Sequence, residues 1–160
     1  MTALTAEGLV LRGWEPGDAA ALVEIYRDPA MLRWTRFPVT TAAEAEVWVA
    51  NQQEGWAANT RHSFAVLDDE RLVGCVALKR GIEVGYWTAA HARGRDVASR
   101  AVRALTAWAI GNGVTTLELR HQVDNEASCR VAEKSGFRLR ETLPATPPWP
   151  LPGHLHLRTG

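Results

Sequence analysis

The sequence predicts one α/β domain in which a mixed, mostly antiparallel sheet of six or seven strands is flanked by about four helices. Three observations support this prediction. The length of 160 residues suits one domain. Short strand-like runs outnumber long helical runs, and two of the helical runs lie between strands. Because hairpins give antiparallel neighbours and crossover helices give parallel ones, this order predicts a sheet that contains both.

The first third of the chain is predicted to form one strand and two helices. The strand covers residues 9–14. The first helix follows it and ends at residues 28–29, Asp-Pro, because proline disfavours helical geometry in the residue before it. The second helix runs from Thr41 to about Ala58, and Glu44 stands at the capping-box spacing from Thr41.

The middle and later parts of the chain alternate strands with helices. Residues 63–67 and 72–78 are predicted to form a hairpin, and residues 82–87 return as a third strand. Between Gly94 and Ile110 apolar residues recur every three or four positions, which is the strongest helical signal in the chain. The last predicted elements are a strand at 115–120, a helix at 125–136 and a strand that begins at 137–139.

Residues 144–160 form a proline-rich tail that holds five of the eight prolines. Because proline cannot donate a ladder hydrogen bond, we do not expect a regular internal strand throughout this segment. Residues 154–157 alternate histidine with leucine, and we expect them to pair only briefly at a sheet edge. The predicted domain spans 1–160 and is clearest over 8–143.

Composition excludes several classes of protein. The 18 basic and 18 acidic residues cancel, which argues against a partner bound through many phosphates, so we expect no nucleic-acid partner. No apolar run approaches the ~20 residues of a membrane span, and no signal peptide is visible. We therefore expect a cytoplasmic protein without a membrane partner.

We also expect no metal. Cys75 and Cys129 lack the spacing of a zinc or redox pair. His154 and His156 have no acidic residue or cysteine near them in the sequence, so solvated histidines are the simpler interpretation.

A candidate anion-binding loop precedes the long helix. Residues 91–98 read His-Ala-Arg-Gly-Arg-Asp-Val-Ala. A glycine-containing loop that opens a helix presents free N–H groups at the positive end of the helix dipole, which suits a diphosphate. Arg93 and Arg95 add positive charge. Taken alone, the same pattern also suits a solvated turn.

Two further motifs give this loop a context. Residues 83–88 read Glu-Val-Gly-Tyr-Trp-Thr, and residues 124–137 contain Asn-Glu-Ala-Ser followed by Glu-Lys-Ser-Gly-Phe. In this order the three motifs resemble the GNAT superfamily of N-acyltransferases, and they are most similar to its ribosomal-protein N-terminal (Rim-type) acetyltransferases. The resemblance follows the element order over about residues 9–143 and is sharp over 83–137.

The resemblance implies a GNAT fold, with acetyl-CoA as cosubstrate and no metal. The strand at 84–88 is expected to splay from a parallel neighbour at 117–120 and to hold the pantetheine arm between them. Backbone groups near Tyr86, Trp87 and Thr88 would bind its amides. The loop residues whose N–H groups would hold the diphosphate are Arg93, Gly94, Arg95, Asp96, Val97 and Ala98.

The resemblance also implies catalytic roles. Glu83 is expected to act as general base, directly or through a water molecule, and Ser128 to protonate the departing thiolate. Asn125 and Ser128 begin the helix near the expected position of the thioester, and both are also expected to contact the cofactor. The implied reaction is direct transfer of an acetyl group to a primary amine, on a small molecule or on a protein or peptide N-terminus. An α-amine, with a pKa near 8, needs less help from a base than lysine.

Two departures from the family pattern leave alternatives open. Asp96 stands where the family usually has glycine or alanine, and its charge would oppose a diphosphate ~5 Å away by about 3 kcal/mol. The proline-rich tail also takes the place of much of the hairpin that usually closes the acceptor side. The alternatives are a GNAT module that binds acyl-CoA or a partner without catalysis, and a transferase for another acyl group such as succinyl. The oligomeric state, including a homodimer, stays open.

Overall fold

The strand-forming segments pair into one open sheet, described for residues 3–160 in a computed structural model. Within this range the sheet has eight strands in the order β1-β2-β3-β4-β5-β6-β8-β7. Only the β5–β6 neighbours run parallel. The strands are β1 (Leu4–Ala6), β2 (Leu9–Arg12), β3 (Arg61–Asp68), β4 (Arg71–Lys79), β5 (Glu83–Thr88), β6 (Thr116–Gln122), β7 (Arg138–Leu143) and β8 (Gly153–Thr159).

Five α-helices lie within the same described range. They are α1 (Ala19–Ile25), α2 (Pro29–Trp34), α3 (Ala42–Ala57), α4 (Val97–Gly111) and α5 (Glu126–Lys134). The predicted capping box of α3 is present, since Thr41 Oγ1 accepts from the Glu44 N–H and the Glu44 carboxylate accepts from the Thr41 N–H. Gly113, with φ of +90°, follows the end of α4 as expected for a helix stop.

Two elements are additional to the prediction. The Asp28-Pro29 pair both ends the first helical segment and begins α2, because the Asp28 carboxylate caps the Ala30 N–H and proline suits the first position of a helix. β1 pairs with β2 through a tight turn at Glu7 and Gly8, whose φ angles are both positive. The described sheet therefore has eight strands where six or seven were expected, and there are five α-helices where about four were expected.

Two hydrophobic clusters cover the two faces of the sheet. The first packs α4 against residues such as Phe64, Val84 and Leu119, and Tyr86 lies at its margin. The second packs α1 and α3 against the opposite face and includes Leu72, with Trp87 at its margin. Because successive strand residues face opposite sides, β5 carries Tyr86 toward one cluster and Trp87 toward the other.

Two expectations for the tail are wrong, namely the brief edge pairing of residues 154–157 and the loss of the C-terminal hairpin. β8 is an internal strand that pairs with β6 on one side and with β7 on the other. All five prolines of the tail precede Gly153 and lie in the loop between β7 and β8, so β8 keeps the N–H groups that both ladders need. The proline-rich segment is thus the loop of a C-terminal hairpin and does not replace one.

Among the helices of residues 3–160, none combines the length and the apolar character that crossing a bilayer requires.

Candidate active site

The parallel strands β5 and β6 separate partway along their length. They pair in register only at residues 83–84 of β5, and the Glu118 N–H donates to the Ile82 carbonyl at 2.8 Å just before that point. From residue 85 to 88, β5 stays paired with β4 alone. On the edge that faces β6, Tyr86 and Thr88 therefore offer backbone groups to an extended ligand, as a strand edge does. The backbone groups of Trp87 face β4 instead, because alternate residues of a strand bond to opposite neighbours and the Ala89 N–H donates to the Val73 carbonyl of β4.

A hydrogen bond between side chains spans the region where the two strands diverge. The Tyr86 hydroxyl donates to Ser128 Oγ at 2.7 Å, and Ser128 is only 9% exposed. Burial raises the pKa of Tyr86 to about 12, so the phenol keeps its proton near neutral pH. Because Tyr86 is the donor in this bond, the hydrogen of the Ser128 hydroxyl is available for donation to another group.

Asn125 fixes the start of α5. Its Oδ1 accepts a hydrogen bond from the Ser128 N–H at 3.2 Å, so Asn125 is the N-cap of the helix. The cap holds the first turn of α5, and with it the Ser128 side chain, beside β5. Next to it, Asp124 forms an ion pair with Arg33 of α2 at 3.0 Å.

Glu83 lies at the paired end of β5, on the sheet face opposite to Tyr86. Its carboxylate is 2.9 Å from Lys79 Nζ and 2.5 Å from an Arg80 guanidinium nitrogen, and its side chain is 16% exposed. Burial alone would raise the pKa of Glu83. The hydrogen bond from Lys79 and the positive charges of Lys79, Arg80 and Arg120 outweigh burial and lower that pKa. Glu83 is therefore an ionised carboxylate with cations on both oxygens.

The loop before α4 presents a run of free backbone donors. Within residues 3–160, the N–H groups of residues 94–99 donate no hydrogen bond. Gly94 and Asp96 both have left-handed backbone, with φ of +80° and +59°. Loops that alternate in this way turn successive N–H groups toward a common point, where an anion binds. The expected diphosphate residues, from Arg93 to Ala98, all lie in this loop or in the first turn of α4. The Arg93 N–H donates to the Ala90 carbonyl at 3.3 Å, so only Gly94 to Ala98 keep the free N–H groups that were expected.

The two arginines of the loop are already paired with carboxylates. Arg93 contacts Asp28 at 2.5 Å and donates to the Thr88 carbonyl at 3.3 Å. Arg95 contacts Asp68 at 3.2 Å. The hydrogen bond from Arg93 lowers the pKa of Asp28. These contacts tie the loop to α2 and to the β3–β4 turn, so the arginines position the loop as well as adding charge.

The charge of Asp96 is compensated by cations that lie outside the loop at 91–98. Its carboxylate contacts Lys134 Nζ at 3.0 Å and Arg103 at 3.7 Å, and it makes no side-chain cap to α4. The hydrogen bond from Lys134 lowers the pKa of Asp96. The side chain thus points toward the C-terminal end of α5, while the Asp96 N–H remains among the free donors.

A second group of reactive side chains lies beside Ser128. His121 Nε2 is 2.9 Å from His156 Nε2, and Cys129 Sγ is 3.8 Å from the same His156 nitrogen. One ligand atom from each of His121, Cys129, His154 and His156 lies within 4.8 Å of the others. Burial lowers the pKa of both His121 and His156, so their rings are neutral near pH 7.

Sequence reasoning missed this group. The tail histidines have no cysteine near them in the sequence, but in the structure Cys129 is adjacent to His156. The four residues come from β6, α5 and β8, so the register of β6 and β8 and the packing of α5 together bring them into contact. Alternating histidines on β8 were the visible signal, but their partner strand was not predicted.

Comparison with known proteins identifies the family. The sequence model of the family described as "Acetyltransferase (GNAT) domain" matches residues 8–138. The chain belongs to the GNAT acetyltransferases. The resemblance, the GNAT fold and the enzyme class inferred from the three motifs are thereby confirmed. A comparison with curated protein sequences finds no match.

Solved GNAT structures share the whole fold. A RimL ribosomal L7/L12 α-N-protein acetyltransferase in complex with coenzyme A superimposes with a TM-score of 0.91 at 18% identity, covering 99% of this chain and 98% of that one. The microcin C7 self-immunity acetyltransferase MccE, in complex with acetyl-CoA and AMP, gives 0.89 at 15% identity over 96% and 93%. A ribosomal-protein-S5-alanine acetyltransferase from Vibrio fischeri gives 0.83 at 17% identity over 99% and 97%.

Proposed function

We propose that this GNAT domain, spanning residues 1–160, transfers an acetyl group from acetyl-CoA to a primary amine by direct attack. The observation that carries the proposal is the divergence of β5 from β6 next to the free N–H groups of residues 94–99. An unpaired strand edge suits the pantetheine amides, and the adjoining N–H groups suit a diphosphate. Relatives of the same fold are bound to coenzyme A or acetyl-CoA, which supports the same cosubstrate here.

Ser128 is the group that we assign to protonation of the departing thiolate. Its hydroxyl accepts a hydrogen bond from Tyr86 and has its own hydrogen free. The N-cap bond from Asn125 holds the turn that carries it. Proton donation by a positioned hydroxyl contributes about 10²-fold or more to such a reaction.

Glu83 is the group that we assign to proton acceptance, through a water molecule. Its lowered pKa makes it a weak base, so it suits an acceptor that loses its proton easily. An α-amine, with a pKa near 8, is such an acceptor, and lysine, near 10.4, is a poorer one. The side chains of Glu83 and Ser128 lie on opposite faces of the sheet. Glu83 would accept the proton of the amine and Ser128 would donate a different proton to the thiolate.

A protein or peptide N-terminus is the acceptor that we propose, with a small amine as the alternative. The names of the RimL and S5-alanine relatives describe transfer to ribosomal proteins, which supports this choice. Attack is direct because the one thiol near the site is poorly activated. Burial raises the pKa of Cys129, so its reactive thiolate form is scarce at neutral pH.

The test is acetyl transfer to matched peptides, followed by mass spectrometry. One peptide has a free N-terminus and no lysine, and its partner has a blocked N-terminus and one lysine. We expect acetyl-CoA to acetylate the first peptide faster. For Glu83→Gln, we expect kcat/KM to fall most below pH 8, where the amine is still protonated. Equal loss at every pH would remove Glu83 from proton transfer.

The two alternative functions predict different results in the same assay. Faster transfer from succinyl-CoA than from acetyl-CoA would change the acyl group. Binding of acetyl-CoA without transfer to any amine would leave a non-catalytic module. The two features that suggested such a module do not favour it, because Asp96 is paired with Lys134 and a C-terminal hairpin is present.

A further inference from the structure

The histidine–cysteine cluster is assembled by strand register. β6 and β8 pair so that His121 lies opposite His154, and Leu119 opposite His156. Residues two apart on a strand share a face, so the three histidines all face the same side of the sheet. Cys129 reaches them from α5, which packs over this face.

The distances in the cluster are close to those of a tetrahedral metal site. Zinc binds imidazole nitrogen at ~2.0–2.1 Å and thiolate sulfur at ~2.3 Å, so tetrahedral ligands lie about 3.3 Å apart for N–N and about 3.6 Å for S–N. The His121–His156 distance is 2.9 Å and the Cys129–His156 distance is 3.8 Å. All four ligand atoms lie within 4.8 Å of one another. Small side-chain movements would place an ion among them.

Burial gives a second indication. His156 has 0% exposure, and its Nε2 is the nitrogen that faces His121 and Cys129. The Nδ1 of His154 is buried without a hydrogen-bond partner among residues 3–160. Buried polar atoms in proteins are nearly always satisfied, and an ion is one of the partners that explains an exception. The Nδ1 of His156 is also unpaired, but it lies on the far side of the ring from the cluster, so an ion bound at Nε2 would not satisfy it.

We propose that His121, Cys129, His154 and His156 bind one zinc ion at a structural site that joins α5 to β6 and β8. Three imidazoles and one thiolate suit zinc, and four protein ligands close the tetrahedron, as in structural sites. Binding forms one Zn–S and three Zn–N bonds, and the proton of the Cys129 thiol passes to solvent.

The zinc site is distinct from the proposed acetyl-transfer groups. Ser128 and Cys129 are neighbours on α5, but the Ser128 side chain contacts Tyr86, whereas Cys129 contacts His156. The inference does not rest on the proposed function, because the metal needs neither acetyl-CoA nor an amine.

The experiment is titration of untagged, chelator-treated protein with Co²⁺, followed by competition with Zn²⁺. We expect one equivalent to bind with a thiolate-to-cobalt absorption band and intense visible bands of tetrahedral cobalt, both of which Zn²⁺ abolishes. Cys129→Ser should lose the thiolate band, and His121→Asn should weaken binding at least tenfold. His91→Asn, which changes an exposed histidine elsewhere, is the matched control and should bind as the wild type does.

A second readout needs no variant. Cys129 is partly exposed and Cys75 is buried, so alkylation of the native protein reports on Cys129. We expect one equivalent of Zn²⁺ to slow alkylation of Cys129 at least tenfold and to leave Cys75 unchanged. Absence of the thiolate band in the wild type, or equal alkylation rates with and without Zn²⁺, would overturn the proposal. Cobalt binding that Cys129→Ser and His121→Asn leave intact would assign the metal to another surface and overturn it too.

Discussion

The hydroxyl of Ser128 receives a hydrogen bond from Tyr86, so its own hydrogen can go to a leaving thiolate. We predict that Ser128→Ala lowers kcat roughly 100-fold, because proton donation is lost in the transition state. The dissociation constant of acetyl-CoA should change less than about threefold, since the proposed binding groups lie elsewhere. Steady-state kinetics and calorimetric titration measure the two effects.

Ser135→Ala is the matched control for that prediction. Ser135 is a buried serine at the other end of α5, and it lies away from Tyr86. Its replacement should leave kcat close to the wild-type value. If Ser128→Ala kept wild-type turnover in a working assay, Ser128 would have no part in proton transfer.

Glu83 should make stability depend on pH. The pKa of Glu83 is lower in the folded protein than in the unfolded chain, where it is near 4.3. The ionised carboxylate therefore stabilises the fold above about pH 4.3, and this stabilisation is lost as the pH falls through the folded pKa. We predict that Glu83→Gln lowers the free energy of unfolding by about 1–2 kcal/mol at pH 7, because charge-assisted hydrogen bonds to Lys79 and Arg80 are lost. The difference should shrink as the pH falls below about 4.3, as measured by urea unfolding.

An exposed glutamate of α3 provides the comparison. Glu46→Gln should change the free energy of unfolding by no more than about 0.5 kcal/mol at any of these pH values. A constant difference between wild type and Glu83→Gln from pH 7 to pH 3 would mean that the ion pairs of Glu83 do not stabilise the fold.

At the scale of elements, the loop before α4 depends on a contact from α5. Lys134 holds the Asp96 carboxylate, and removal of that cation leaves more negative charge near the free N–H groups. We predict that Lys134→Gln weakens acetyl-CoA binding about 3–10-fold at low salt. The effect is modest because the Asp96 charge is partly exposed and screened by solvent. Asp96→Asn should strengthen binding by a similar factor, because it removes the negative charge near the free N–H groups. Asparagine also tolerates the left-handed backbone at this position, so the loop should keep its shape. Calorimetric titration measures both.

Arg130→Gln separates this effect from a general loss of positive charge. Arg130 is an exposed cation on the same helix and pairs weakly with Glu126, at 3.9 Å. Its replacement should leave acetyl-CoA affinity within about twofold of wild type. A loss equal to that of Lys134→Gln would assign the effect to net charge and not to the Asp96 contact.

Elements with strong local signals could be predicted from the sequence, and those fixed by tertiary pairing could not. The periodic apolar residues of α4 and the capping box of α3 act within one element, so their predictions agree with the structure. β8 was misjudged because proline content was averaged over the whole tail, although every proline precedes Gly153. α2 was missed because Asp28-Pro29 suits a helix start as well as a stop.

The residues of the candidate site also differ in how far they could be predicted from the sequence. The loop at 91–98 and the β5 motif are contiguous in sequence, so their position could be predicted from the resemblance. Lys134 as the partner of Asp96, and Cys129 as the neighbour of His156, depend on how α5 packs, and no local pattern encodes that packing. The cations around Glu83 are close in sequence, but their geometry depends on the β4–β5 turn.

At the scale of the whole molecule, ligand binding should raise thermal stability by mass action. At 100 times its dissociation constant, acetyl-CoA should add about 2.7 kcal/mol, or roughly 5–10 °C in Tm for a chain of this length. ADP, which has the diphosphate without the pantetheine arm, should give less at the same concentration. Equal shifts from both ligands would argue against binding of the arm between β5 and β6. Scanning calorimetry measures the shifts.

The place of β8 between β6 and β7 has a consequence for how the protein is made. Within the described chain β7 pairs with β8 alone, yet the ribosome synthesises β7 first. During translation β7 therefore emerges without its partner strand, and the β6 edge stays open to other chains. β6 and β7 both gain their missing partner only when β8 leaves the exit tunnel and inserts between them. A nascent chain stalled before residue 153 should thus be a better chaperone client than the released protein.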